Sequence, residues 1–180
     1  MRRLLAVAVF FIAYSTAFAA APQDNARLGA IFKEDQQVRQ KQPIDWSVVA
    51  PQDRAHRAEV LGMLKAGQLK TANDYYHAAM VFQHGEALDD IRLAFSLAQL
   101  SATLDPASKR ARWLSAAAWD RILVRKNVPQ WYGTQYHKPS AEAPMELYKV
   151  DESVVSDAER AEMGVPTLQA ARDMLREINR

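Results

Sequence analysis

The sequence predicts a mainly α-helical protein, a compact single domain of several helices with a small two-stranded hairpin or extended flap near residues 131–150. Apolar residues recur at intervals of three and four through most of the chain, as they do along the buried face of a helix. Capping residues, prolines and glycines divide this pattern into segments. Because the 180 residues include no cysteine, core packing rather than disulfide bonds has to stabilise the fold.

Residues 1–19 have the three parts of a cleavable secretory signal peptide. Residues 2–3 are both arginine, residues 4–13 form an apolar run, and residues 17–19 (Ala-Phe-Ala) carry the small side chains that signal peptidase requires. A serine and a threonine end the apolar run before it reaches the roughly 20 residues of a membrane-spanning helix. We therefore expect cleavage between Ala19 and Ala21 and export to the periplasm or the medium.

Removal of this peptide would also remove the net charge of the chain. The sequence carries 23 Lys and Arg against 21 Asp and Glu, and Arg2 and Arg3 account for the difference. The mature domain, residues 22–180, is therefore formally neutral. Its charge gives no support for binding to nucleic acid or, after signal cleavage, to a membrane.

The first two predicted helices are separated by a short connector. An amphipathic helix is predicted over residues 24–40, ending before Pro43. Residues 44–49 are expected to form the connector, and Pro51 is expected in the first turn of the second helix, where its missing N–H needs no partner. Gly67 is predicted to end the second helix in the left-handed conformation.

Three further helices are predicted before residue 127. Residues 71–74 have the form of a capping box that starts a third helix, and Gly85 is expected to end it. A fourth helix is predicted over residues 86–104. Asp105 is expected to cap a fifth helix with Pro106 in its first position. The apolar face of this fifth helix is expected to comprise Trp113, Leu114, Ala117 and Ile122.

The C-terminal third changes character. Aromatic and β-branched residues alternate with polar ones over residues 131–136 and 145–150, which predicts the hairpin. Residues 156–159 form a second capping box, which predicts a short helix ending at Gly164. Thr167 is positioned to cap a last helix.

Histidines are the first candidates for chemistry near neutral pH. His77 and His84 are seven residues apart and would share a face of one helix. No cysteine and no third ligand completes a zinc pattern there, so we predict no metal site. His56 and His137 are expected to be solvated.

The most suggestive histidine segment is Gln83-His84-Gly85-Glu86, because the glycine would leave the imidazole at a helix end facing a junction. Asp120 and Arg121 are adjacent on the fifth helix and have two interpretations. One of them forms a structural ion pair with another helix, or Arg121 binds an anion while Asp120 orients a neighbour.

A polar and aromatic string occupies residues 129–135, Pro-Gln-Trp-Tyr-Gly-Thr-Gln. Amides, a hydroxyl, an indole and a phenol suit hydrogen bonding to a polar ligand against a flat apolar surface. Alternatively, the amides satisfy backbone groups of the loop. No glycine-rich phosphate loop and no nucleophile-elbow serine occurs, which argues against P-loop enzymes, dinucleotide oxidoreductases and serine hydrolases, and we predict no cofactor.

Several short motifs follow one another along the chain. They are Gln83-His84-Gly85-Glu86, Asp120-Arg121, Gln130, Tyr132-Gly133-Thr134-Gln135, and Arg160 before Met163-Gly164-Val165. From about Asp35 to the C-terminus the chain resembles the bacterial domain-of-unknown-function family 6624. The resemblance implies a compact, mostly helical domain and carries no established reaction. One departure is Glu86, which stands where aspartate is commoner in the family pattern.

Three functions are open. The first is an exported hydrolase-like enzyme or polar-ligand binder with one cleft, in which His84 is the general base, Asp120 and Arg121 complete the catalytic group, and Arg121 or Arg160 binds an anion. Its expected ligand-binding residues are Gln83, Gln130, Tyr132, Thr134, Gln135 and Arg160. The second is a non-enzymatic module that binds a peptide or an envelope partner through Trp131 and Tyr132. The third is a structural helical domain whose polar string braces the loop after the fifth helix.

Overall fold

The computed structural model describes residues 21–41, 43–140 and 142–180. The predicted signal peptide lies outside these residues. In the described part of the chain, helices predominate and a two-stranded antiparallel hairpin follows the fifth helix, which confirms the mainly α fold. The elements are α1 (Ala26–Gln40), α2 (Trp46–Lys65), α3 (Ala72–Gln83), α4 (Leu88–Leu104), α5 (Lys109–Arg125), β1 (Tyr136–His137), β2 (Glu146–Leu147), α6 (Asp157–Glu162) and α7 (Leu168–Ile178). None of the described helices has both the length and the apolar character needed to cross a membrane.

The start of α2 differs from the prediction. The helix begins at Trp46, so the expected connector over residues 44–49 is wrong and Pro51 lies inside the helix. Asp45 is the reason, because its carboxylate accepts hydrogen bonds from the Ser47 backbone N–H at 3.0 Å and from the Ser47 hydroxyl at 2.6 Å. This N-cap starts the helix one turn earlier than the proline does.

The end of α2 is as predicted. Gly67 has a φ of +63°. Its N–H donates to the Leu64 carbonyl at 3.0 Å, and the N–H of Gln68 donates to the Met63 carbonyl at 2.9 Å. This pair of hydrogen bonds satisfies the last carbonyls of the helix and turns the chain toward α3.

The start of α5 also differs from the prediction. Ser108, not Asp105, caps the helix, and its hydroxyl accepts a hydrogen bond from the Ala111 N–H at 3.4 Å. Asp105 instead forms a turn, in which its carboxylate accepts from the Ala107 N–H at 3.1 Å. Pro106 lies in that turn and not in the helix.

The core lies between α3, α4 and α5, with α1 and α2 packed over α3. Alanines let these helices approach closely, and larger aliphatic side chains fill the space between them. The central members are Leu28, Ile31, Val60, Phe82, Ala94, Leu97, Leu114 and Ala118. Trp113 is not among them, contrary to the prediction, because it lies beside the buried stripe of α5 and is 39% exposed.

The hairpin is shorter than the alternating pattern predicts. Tyr136 lies opposite Leu147 and His137 opposite Glu146. A parallel bridge joins Gln130 to Val150. The capping boxes predicted for α3 and α6 are both formed, and Thr167 caps α7.

Candidate functional site

The residues predicted to line one cleft occupy different places in the structure. His84 and Arg121 line a basic cleft, Gln135 lines a neighbouring concavity, and Tyr132 lines a third. Of the remaining predicted residues, Gln83, Asp120, Gln130 and Arg160 are buried and Thr134 is half-buried. The geometry therefore separates residues that hold a loop from residues that face solvent-accessible space.

Asp120 holds the loop formed by residues 130–135. Its side chain is completely buried. The carboxylate accepts hydrogen bonds from the backbone N–H groups of Trp131 at 2.8 Å, Tyr132 at 3.0 Å and Thr134 at 3.0 Å, and from the Thr134 hydroxyl at 2.8 Å. In the described part of the chain no cation pairs with it, so an ion pair at Asp120 is the wrong interpretation.

Gln130 holds the same loop from within. The fully buried side chain donates hydrogen bonds from Nε2 to the carbonyls of Gln135 at 3.0 Å and Tyr148 at 2.9 Å, and its Oε1 accepts from the Gln135 N–H at 2.8 Å. Gln135 in turn donates from Nε2 to the Ala117 carbonyl at 3.2 Å. These amides satisfy backbone groups, as the alternative interpretation of the string expects.

Arg160 holds the loop from the other side. It is 2% exposed and donates to the carbonyls of Trp131 at 2.9 Å, Tyr132 at 3.1 Å and Val155 at 2.6 Å. A guanidinium with three carbonyl acceptors is satisfied without a ligand. We call Asp120, Gln130, Thr134 and Arg160 the loop brace.

Trp131 and Tyr132 line an aromatic concavity of about 330 Å³ between α4, α5 and the loop. The Trp119 ring lies 5.0 Å from Trp131 and 5.4 Å from Phe95, measured between ring centroids. This surface is mostly apolar and half-buried.

The basic cleft, of about 280 Å³, lies where α1, α2 and α5 meet the end of α3. Five arginines and two carboxylates are among its lining residues, so its charge is predominantly positive. The lining residues are Arg39, Trp46, Ala50, Asp53, Arg54, Arg57, His84, Glu86, Arg121 and Arg125.

His84 is held by a buried carboxylate. It is the C-cap residue of α3, and its Nδ1 lies 2.9 Å from Oδ2 and 3.0 Å from Oδ1 of Asp35 on α1. The Asp35 side chain is 1% exposed, whereas the His84 side chain is 19% exposed. Among the described residues, Nε2 of His84 has no hydrogen-bond partner, so the imidazole presents this nitrogen to the cleft it lines.

Asp35 is not among the predicted site residues, although the sequence contains a signal for it. Leu28 and Ile31 mark the apolar face of α1, and Asp35 follows four residues later on the same face. A carboxylate at a core position is buried only with partners. Its partner, His84, is 49 residues away in the chain.

A chain of charges continues from Asp35 along the cleft. Arg39 donates from Nη1 to Asp35 at 2.9 Å and from Nη2 to Asp53 at 2.5 Å. The second oxygen of Asp53, Oδ1, is buried and unpartnered, and so is Nη1 of Arg57, another cleft residue. One acceptor and one donor at the cleft therefore lack partners in the described part of the protein.

Arg121 is a partly buried cation that has no carboxylate partner among the described residues. Its one hydrogen bond among the described residues runs from Nη2 to the Gly85 carbonyl at 3.4 Å. Burial lowers its pKa, and the positive charges of Arg125 and Arg39 lower the pKa further. A bound anion would relieve both effects.

The other histidines lie elsewhere. His56 is 6% exposed, contrary to the expectation of a solvated ring, because its Nε2 faces Glu34 at 3.2 Å. His77 stacks on Phe32 with ring centroids 4.1 Å apart, and His137 is only partly exposed on the hairpin, where it stacks on Tyr148. Over residues 21–41, 43–140 and 142–180, no group of three or more histidines and carboxylates is placed to hold a metal ion.

Gln83 precedes His84 but does not line the cleft. It is 7% exposed, and its Oε1 is a buried atom without a hydrogen-bond partner among the described residues.

Comparison of the chain with protein-family models, with curated proteins and with solved structures found no match. The resemblance to family 6624 therefore stays a prediction from the motifs, and the function has to be inferred from the geometry.

Proposed function

We propose that this protein is an exported hydrolase-type enzyme that acts on an anionic substrate in the basic cleft, with His84 as general base. One observation carries the proposal. The buried Asp35 carboxylate binds Nδ1 of His84 and leaves Nε2 unbonded in a cleft surrounded by arginines. A histidine oriented by a buried carboxylate is an arrangement suited to proton transfer.

The hydrogen-bond chemistry fixes the role of each nitrogen. An ionised carboxylate can only accept hydrogen bonds, so Nδ1 carries the proton of the neutral ring and Nε2 carries the lone pair. Nε2 takes a proton from water while the water oxygen bonds to the electrophilic atom of an ester. The bond to the leaving oxygen then breaks, and the proton passes from the imidazolium to that oxygen. Asp35 keeps the ring oriented and is a positioning residue.

Arg121 is the proposed anion-binding residue. It lies in the cleft with His84, is partly buried, and has no carboxylate partner among the residues the structure describes. Guanidinium groups bind phosphate-type oxyanions through paired hydrogen bonds. Arg125 lies beside it and adds positive charge to the same wall.

Asp120 and Arg160 have a different role in this proposal from the one predicted. Their polar atoms are used by the loop, so we assign them to holding residues 130–135 and not to catalysis. This is the bracing role of the third hypothesis, now combined with a cleft elsewhere in the molecule.

The test uses the mature chain with p-nitrophenyl phosphate and p-nitrophenyl sulfate as substrates. We expect His84→Ala to lower kcat at least 100-fold and Asp35→Asn to lower it about 10- to 100-fold with little change in KM. Arg121→Gln is expected mainly to raise KM. His77→Gln is the matched histidine control and keeps wild-type activity, because His77 stacks on Phe32 and lines neither the basic cleft nor the concavity beside it.

The same experiment can contradict the proposal in two ways. Absence of hydrolysis of both esters argues against this enzyme activity. Hydrolysis that persists unchanged in the His84→Ala variant removes His84 from the mechanism.

Export is proposed on the signal-like residues 1–19 and has its own test. Expression of the full-length chain in a bacterial host is expected to yield a periplasmic product that begins at Ala20, identified by mass spectrometry. Loss of Arg2 and Arg3 also lowers the isoelectric point from about 8.9 toward neutrality. A product that retains Met1 would contradict cleavage.

A second candidate function is binding of a peptide side chain in the aromatic concavity. The observation in its favour is that Trp131 and Tyr132 lie on an apolar, concave surface and not in the core. Apolar concavities of this kind accept apolar side chains of partners. A Trp131→Ala variant that loses capture of leucine- and phenylalanine-containing peptides on an array would support it, whereas identical arrays would exclude it.

A further inference from the structure

We infer that the substrate is a phosphate-type oxyanion carried on a hydroxyl-rich, sugar-like group, with the oxyanion in the basic cleft and the hydroxyl-rich group in the concavity beside it. This inference rests on the proposed function and names the substrate class of the same site.

The two spaces share a wall. A concavity of about 620 Å³ adjoins the basic cleft, and both are lined by Arg121 and Arg125. An anion bound to these two guanidinium groups therefore lies where the spaces meet. The rest of the ligand can extend away from His84 into the larger space, whose size is in the range of small-molecule sites. We call it the polar concavity.

The polar concavity has the chemistry of a site for hydroxyl groups. Beyond the two arginines it is lined by Val124, Asn127, Gln135, Tyr136 and Tyr148. In the described part of the chain, the phenol oxygens of both tyrosines and the side-chain amide of Asn127 have no hydrogen-bond partner. Phenols and amides can each donate and accept, which matches the hydroxyl groups of a sugar.

The same lining disfavours an apolar group. Burying these polar atoms against an acyl chain or an unsubstituted ring leaves them unpaired, which costs binding free energy. Val124 is the one aliphatic side chain in the wall. The aromatic concavity, in contrast, has an apolar lining, so the protein has separate surfaces for the two kinds of ligand.

The wall of the polar concavity is held in place before a ligand binds. Tyr136 belongs to β1. Tyr148 stacks on His137 with ring centroids 4.1 Å apart. Gln135 is fixed by its hydrogen bond to the Ala117 carbonyl. A wall fixed in this way loses little freedom when a ligand is bound, which favours affinity.

Asn127 provides a matched variant. It ends α5 with a φ of +56°, a conformation that glycine adopts without cost. Asn127→Gly therefore removes the amide from the polar concavity and preserves the turn. Tyr136→Phe similarly removes one phenol oxygen and keeps the ring.

The test measures dissociation constants by calorimetry in a His84→Gln background, in which the proposed base is absent and no ligand is consumed. The probes are inorganic phosphate, phenyl phosphate, glucose 6-phosphate and ribose 5-phosphate. We expect at least one sugar phosphate to bind 10-fold or more tightly than inorganic phosphate and than phenyl phosphate. Asn127→Gly and Tyr136→Phe each weaken sugar phosphate binding about 5-fold and leave the affinity for inorganic phosphate within about 2-fold.

Failure of this inference and failure of the proposed function give different binding results. If inorganic phosphate binds and Arg121→Gln abolishes that binding, but the sugar phosphates bind no more tightly than phosphate or phenyl phosphate, this inference is overturned and the anion site stands. If inorganic phosphate does not bind, or binds equally well to the Arg121→Gln variant, the proposed function fails together with the inference.

Discussion

Two buried aspartates on helix faces, Asp35 and Asp120, have different hydrogen-bond partners and therefore different roles. Asp120 accepts four hydrogen bonds from one loop, three of them from backbone N–H groups. Asp35 contacts an imidazole and a guanidinium that both line the basic cleft. A carboxylate bound mainly by backbone fixes a conformation, whereas one bound by ionisable side chains orients groups that can react.

Asp120→Asn is expected to destabilise the protein by roughly 2–4 kcal/mol, because the amide has one oxygen where the loop needs two and its NH₂ group faces N–H donors. The measurement is the free energy of unfolding in urea. Asp89→Asn, on the exposed start of α4, is the control and should leave the transition midpoint almost unchanged. Equal midpoints for the two variants would contradict the structural role of Asp120.

His77 is expected to make stability depend on pH. Burial lowers the pKa of His77, and the positive charge of Arg110 lowers it further. Below about pH 6.5 the unfolded chain therefore binds more protons at this residue than the folded chain. The stability contributed by the neutral ring is complete above that pH and falls as the pH decreases through the pKa of the folded protein.

The measurement compares unfolding midpoints in urea at pH 7.5 and pH 5.0. His77→Gln cannot be protonated, so its midpoint should fall less on acidification than that of the wild type. A variant that loses as much stability as the wild type between the two values would exclude this role.

The helix boundaries show which local signals are decisive. The capping boxes at Thr71 and Ser156 are formed as predicted, because both partners lie within one turn of chain. The start predicted for α2 rests on Pro51, and the start predicted for α5 rests on Asp105 followed by Pro106. The side chains of Asp45 and Ser108 set the two starts instead. A proline is compatible with a helix start without determining it, whereas a capping side chain satisfies free N–H groups.

Replacement of glycine by alanine is expected to stabilise the protein in helix α1 and to destabilise it in the loop of residues 130–135. Gly29 lies inside α1 with open space around its Cα, so Gly29→Ala should stabilise the protein by about 0.5–1 kcal/mol. Gly133 has a φ of +83°, and a Cβ there would lie 2.7 Å from Cδ2 of Leu168. Gly133→Ala should destabilise by about 1–3 kcal/mol.

Thermal or urea unfolding measures the stability of Gly29→Ala, Gly133→Ala and a third variant, Gly67→Ala. Gly67→Ala is the control for backbone strain alone, since Gly67 also has a positive φ but no atom within 4 Å of an added Cβ. Gly133→Ala should cost more than Gly67→Ala. The reverse order would show that the contact with Leu168 is unimportant.

At the scale of the whole molecule, the sequence predicts the mainly α fold and two residues of the basic cleft. His84 and Arg121 are recognisable from local context, one at a helix end and the other late in a helix. The separation of Asp120 and Arg160 from these two residues is not predictable, because adjacent residues on α5 point in different directions and only tertiary packing decides which of them reaches the loop. Asp35 and Arg39 enter the cleft through contacts between distant segments, which a single sequence does not specify.

The loop brace has a consequence for the motions of the molecule. The amide hydrogens of Trp131, Tyr132 and Thr134 lie in a loop, but their acceptor is a carboxylate buried on α5. Exchange of these hydrogens with deuterium requires the opening of a contact in the interior. In exchange followed by mass spectrometry, a peptide covering residues 130–135 should therefore exchange as slowly as the middle of α5 and far more slowly than the exposed turn near residue 140. A loop without regular secondary structure would then be among the last parts of the protein to open.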